Sequence, residues 1–124
     1  MNKNARAKEN EMPLCNTFEP GSSSETLASK LPNDEIVYKA TRIFSALADS
    51  TRFKILAALA HGELCVCDLQ ELCRVSQSAI SHQLRLLRDL DLVRARRAGQ
   101  RAYYRLSDDH VIGLLKEGVA HASE

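Results

Sequence analysis

Residues 76–106 constrain the fold of this chain more than any other stretch. From Ser76, an N-cap candidate, Ile80, Leu84, Leu87 and Leu90 recur at helical spacing and predict a helix with one apolar face. On the opposite side, at about 100° per residue, fall Ser78, Ser81, His82 and Arg85, all small, polar or basic. The helical period then stops. Leu92-Val93-Arg94-Ala95-Arg96-Arg97 and Arg101-Ala102-Tyr103-Tyr104-Arg105-Leu106 alternate like strands around the turn Ala98-Gly99-Gln100, which predicts a tight hairpin.

The segments before it are helical. Asn33 caps a first helix with Ile36, Val37, Ala40, Ile43, Phe44 and Leu47 at its apolar spacing. Asp49-Ser50 caps a second, with Phe53, Ile55, Leu56 and Leu59 inward and a stop at His61-Gly62. A short third helix turns Val66, Leu69, Leu72 and Cys73 inward, and Arg74-Val75-Ser76 connects it tightly to the fourth. Residues 1–32 hold Pro13, Pro20, Gly21, Ser22-Ser23-Ser24 and Pro32 without an apolar period, which predicts a mobile N-terminal arm ahead of one domain at 33–124.

Two helices joined by a short turn, the second offering hydrogen-bonding side chains outward, form the helix-turn-helix arrangement that lays its second helix in the DNA major groove. The expected fold is therefore mainly α with a small β-hairpin, a winged helix-turn-helix. Charge supports it. The formal net charge of the 124 residues is only +1, yet residues 74–105 carry eight arginines against Asp89 and Asp91, while residues 1–35 are net acidic. One-sided arginine is a polyanion surface, and its bland alternative is a solvated face. The candidate contacts to double-stranded DNA are Gln77, Ser78, Ser81, His82 and Arg85 on the helix and Arg97 and Arg101 on the wing.

Asp108 to Glu124 reads as a final helix starting from Ser107-Asp108, with Val111, Leu114, Leu115, Gly118, Val119 and Ala122 on one face. His110, His121 and Glu124 run along the edge of that face, with Glu117 a rival to Glu124. Eleven residues of helix separate the two histidines by roughly 16 Å, whereas zinc holds its ligands at ~2 Å. One helix cannot close such a site. Two copies packed antiparallel can, with His110 of one facing His121 and Glu124 of the other and Asp108 completing the set, which makes the expected assembly a homodimer with two intersubunit Zn(II) sites. Two histidines on a helix edge that are simply solvated are the plain alternative.

No stretch nears the ~18 apolar residues of a membrane span, and no apolar signal core follows Met1-Asn2-Lys3-Asn4, so the expectation is a cytoplasmic protein without a membrane partner. In that reducing compartment the cysteines are expected to be thiols. Cys65 and Cys67 stand two apart at the start of the third helix and could share a soft ion, with Cys15 from the arm or His61 as a further donor. Cd(II), Pb(II), Zn(II), Cu(I) and Ag(I) all suit thiolates, and softness does not choose among them. Cys73 shares the Leu69/Leu72 stripe and reads as a small core residue.

The runs Leu47-Ala48-Asp49-Ser50-Thr51-Arg52-Phe53-Lys54-Ile55-Leu56, Glu63-Leu64-Cys65-Val66-Cys67-Asp68-Leu69 and Ser76-Gln77-Ser78-Ala79-Ile80-Ser81-His82-Gln83-Leu84 resemble the ArsR/SmtB family of metal-sensing winged-helix repressors. The resemblance spans about 34–124. It implies a homodimer with antiparallel terminal-helix pairing that binds an operator near its own promoter when metal-free and releases it when metal binds, derepressing efflux or sequestration genes. It further implies that Asp108, His110, His121 and Glu124 form the terminal-helix zinc site, which favours Glu124 over Glu117, and that Cys65 and Cys67 belong to a thiolate site completed from the arm. The arm here carries Cys15 alone, where members with that site usually offer two or more Cys or His. Ser78, Ser81 and His82 match the family's recognition-helix positions, and Arg97 and Arg101 its wing. A metal storage or delivery protein would use the same ligands without needing the arginine wing. An enzyme is not expected, because the chain has no Cys-x-x-Cys, no Gly-rich phosphate loop and no nucleophile with a base at recognisable spacing.

Overall fold

The computed structural model describes residues 23–124, which fall into two units with a boundary between Ile36 and Val37. In the first, Ser23–Ala28 forms a six-residue helix, α1, where the lack of an apolar period had predicted only arm. Helix α2 (Asp34–Leu47) starts as expected, with the Ile36 N–H donating to the Asn33 side chain at 2.9 Å. In the second unit the order continues α3 (Ser50–Leu59), β1 (Leu64–Cys65), α4 (Val66–Cys73), α5 (Gln77–Asp89), β2 (Val93–Ala98), β3 (Arg101–Leu106) and α6 (His110–Ala122).

Capping sets most of these boundaries. The Asp49 carboxylate accepts the Arg52 N–H at 3.0 Å to start α3, and Ser76 Oγ accepts the Ala79 N–H at 3.1 Å to start α5. Between α4 and α5 the chain reverses at Arg74, whose N–H makes the last helical bond to the Gln70 carbonyl and whose left-handed φ of 58° then turns the chain out of the helix. The hairpin turn is Gly99-Gln100, flanked by the Ala98–Arg101 pair. Gly99 takes φ of 66° while Gln100 stays at negative φ, the II′ pattern that matches strand twist and that glycine alone adopts without strain.

The core lies where α3, α4, α5 and the sheet meet. Ile55, Leu56, Leu69, Ile80, Leu84, Leu87 and Val93 are sealed from solvent. Leu64, Val66, Cys73, Tyr104 and Leu106 pack on them. The α5 stripe of Ile80, Leu84 and Leu87 is thus buried as its period predicts, with Leu90 partly buried beside it.

Four expectations need correction. The sheet has three strands in the order β1-β3-β2, because Leu64 and Cys65 pair with Tyr104 and Tyr103, so Cys65 ends an edge strand as well as standing at the helix start where it was expected. Leu72 is 61% exposed, because on so short a helix Leu69 takes the core-facing position. Helix α2 buries only Ala46, while Ile36, Val37 and Phe44 of its apolar face are exposed. Finally, α6 begins at His110 instead of Asp108, the Asp108 carboxylate accepting the His110 N–H at 2.9 Å from outside the helix. Among the described residues no helix is long and apolar enough to cross a membrane.

Candidate nucleic-acid interface and metal sites

Helix α5 turns Ile80, Leu84 and Leu87 into the core, so helical geometry delivers Gln77, Ser78, Ser81, His82 and Arg85 to the surface, and all five are exposed. Arg97 and Arg101 are exposed at the tip of the hairpin. Recognition-helix and wing candidates therefore stand free to meet a partner, with the donors and positive charge that base edges and phosphates require. An unforeseen contact orients the helix. Arg52 donates from Nε to the Ala46 carbonyl at 2.9 Å and from Nη1 to Gln83 Oε1 at 2.9 Å, joining the end of α2 to the flank of α5 through one guanidinium.

At the other edge of this surface lies the cysteine pair. Cys65 is the N-cap of α4 in a capping box: its sulfur accepts the Asp68 N–H at 3.4 Å and the Asp68 carboxylate accepts the Cys65 N–H at 3.3 Å. Cys65 and Cys67, expected as thiols, are bonded to each other, with Cα atoms 5.4 Å apart. Ligation of a metal by both sulfurs requires the reduced pair. With Asp68 they form a group that could hold a metal ion, the one such group among the described residues. Asp68 was not singled out from sequence, although its place three residues after an N-cap is the signal that finds it. His61 is not in the group, and lines an apolar groove with Ala57, Ala60, Ile112, Leu115 and Val119. Cys15 lies outside the described residues. One cleft is lined by Cys65, Cys67 and Gln70 together with Gln77 of α5 and Gln100 and Arg101 of the hairpin, which brings the pair close to the candidate DNA-contacting elements.

The terminal-helix candidates behave differently. His110 Nδ1 is 3.4 Å from Asp108 Oδ1 and His121 Nδ1 is 4.0 Å from Glu124 Oε1, two exposed pairs at opposite ends of α6. A single chain does not bring the four together, and Glu117 is exposed as well. Cys73, packed against the core, is the one free thiol among the described residues. Burial pushes its pKa up, with Lys54 acting in the opposite sense.

A helix-turn-helix with an exposed polar recognition face and a basic hairpin beside it defines the class: a winged helix-turn-helix DNA-binding regulator. The comparisons narrow this. Residues 49–95 match the arsR family of bacterial regulatory proteins. A transcriptional repressor SmtB homolog from Synechocystis sp. is 42% identical over 127 aligned positions, covering 100% of this chain and 95% of that protein. A cadmium resistance transcriptional regulatory protein CadC homolog from Staphylococcus aureus is 38% identical, over 82% of this chain and 81% of its own length. Among solved structures, the homodimeric winged helix-turn-helix DNA-binding domain of a possible ArsR-family transcriptional regulator from Mycobacterium bovis superimposes with a TM-score of 0.66 at 30% identity, over 86% of this chain and 92% of that one. The chain belongs to the ArsR family of transcriptional regulators, which are DNA-binding proteins and not enzymes.

Proposed function

We propose that this protein is a cytoplasmic metal-responsive repressor. It binds operator DNA as a metal-free homodimer and lets go on binding Zn(II) or a softer ion such as Cd(II), Pb(II), Cu(I) or Ag(I), derepressing genes for metal efflux or sequestration. The observation that carries this reading is the shared cleft: the reduced Cys65–Cys67 pair and Asp68 would hold an ion beside Gln77 of the recognition helix and Arg101 of the wing. An arm of residues 1–32 supplies Cys15 to that site. The dimer is supported by the uncovered apolar side chains of α2 and α6, and it would close a second site from Asp108 and His110 of one chain with His121 and Glu124 of the other.

The energetics follow from linkage. Half-sites lie about one helical turn, ~34 Å, apart, so an ion that bridges the terminal helices at another spacing of the recognition helices lowers operator affinity. DNA must then weaken metal binding by the same factor, typically ~1–3 kcal/mol. The test is a titration of a duplex from the chain's own promoter region, with reduced protein, with and without each metal. Weaker binding with metal is expected, and unchanged affinity with every ion would falsify the proposal. His110→Ala with His121→Ala is expected to remove the zinc response, and Cys65→Ser with Cys67→Ser the response to cadmium or copper(I). Loss of every response in the cysteine variant alone would make the thiolate site the regulatory one.

A further inference from the structure

The strand register gathers four of the five hairpin arginines, Arg94, Arg96, Arg101 and Arg105, on one face of the sheet and puts Arg97, opposite Ala102, on the other. Arg94 opposes Arg105, Arg96 opposes Tyr103 and Ala98 opposes Arg101, and residues paired across antiparallel strands share a face. Like charges placed opposite one another destabilise a sheet, so four arginines here need an offset. Glu63, two residues before Cys65, supplies it. Arg96 Nε donates to Glu63 Oε2 at 2.9 Å and Nη2 donates to Oε1 at 2.7 Å, a two-pronged ion pair, while the guanidinium lies 4.8 Å from the centre of the Tyr103 ring. The Arg96 hydrogen bonds hold the Glu63 carboxyl below its ordinary pKa, against a smaller desolvation effect. In the order β1-β3-β2 the outer strands are not neighbours. The ion pair reaches over Tyr103 of the middle strand and ties the segment entering β1 to β2.

We infer that Glu63, Arg96 and Tyr103 form a clasp that fixes the set of the wing, making Arg96 a positioning residue and leaving phosphate contact to its neighbours Arg97 and Arg101. This rests on the DNA-binding assignment. The two possible roles of Arg96 predict opposite signs. If Glu63 instead withheld Arg96 from phosphate, removing the carboxylate would free a cation and tighten binding; if Glu63 clasps the wing, removing it weakens binding.

The experiment is fluorescence anisotropy of the promoter-region duplex and a random duplex against KCl concentration, for the wild type, Glu63→Gln, Arg96→Lys and Arg97→Gln. Glu63→Gln and Arg96→Lys are expected to weaken specific binding about three- to tenfold without changing its salt slope, whereas Arg97→Gln lowers that slope by about 1. Arg96→Lys keeps the charge and loses the two-pronged geometry, so it answers the question even if Glu63→Gln does not fold. Tighter binding by Glu63→Gln, or an Arg96→Lys protein equal to wild type, overturns the clasp. A wild type that does not distinguish the two duplexes overturns the DNA-binding premise instead.

Discussion

In α5 the residues Ile80, Leu84 and Leu87 are all sealed inside the chain, whereas in α2 only Ala46 is buried and Phe44 is 54% exposed. Helix α6 shows both states along its length, with Val111 and Leu115 buried and Val119 half exposed. The three helices carry apolar residues at the same period. What differs is who covers them: α5 is covered by α3, α4 and the sheet, while the open sides of α2 and α6 have no such cover among the described residues. Periodicity reports that a face will be buried and is silent on whether the cover comes from the same chain.

Substitutions can break that contrast. Leu87→Ala is expected to cost about 2–5 kcal/mol in chemical denaturation, because it leaves a cavity among side chains fixed on every side. Val119→Glu belongs to the open class: it is expected to leave the protomer folded and to weaken self-association by on the order of 2 kcal/mol, seen as a shift to monomer in analytical ultracentrifugation. If the two variants lose stability equally, with no change in association state, the contrast fails. Asp49→Ala removes the α3 cap within the closed region and is expected to cost about 1 kcal/mol in thermal melting.

The smallest effect concerns Cys73. Its folded pKa lies above the unfolded value, so the folded chain holds its thiol proton longer, and stability falls as pH rises through the thiol range and beyond. Cys73→Ala is expected to flatten that alkaline slope slightly in denaturation curves between pH 7 and roughly 10. An unchanged slope would mean that the thiol is not held by the core.

Local chemistry was the legible part of the fold. The Asp49 and Ser76 caps, the α5 stripe and the Gly99 turn each depend on residues within one or two turns of chain. Strand β1 was not legible, since two residues carry no period and their partners Tyr103 and Tyr104 lie about forty positions on. Separations of 33 and 31 residues likewise hid the Glu63–Arg96 pair and the Arg52–Gln83 hydrogen bond, which join residues that no local rule relates. At the sites, the exposed face of α5 followed directly from its buried one. Asp68 was missed because its capping role and its nearness to two sulfurs become visible only once Cys65 is placed at the end of β1 as the N-cap of α4.

The Arg52 guanidinium gives the molecule a cross-link that its list of helices does not convey. One rigid planar group grips the last turn of α2 at the Ala46 carbonyl and the side of α5 at Gln83. Arg52 therefore links α2 to α5 directly and not only through the bend between α2 and α3, much as a tie rod joins two wheels.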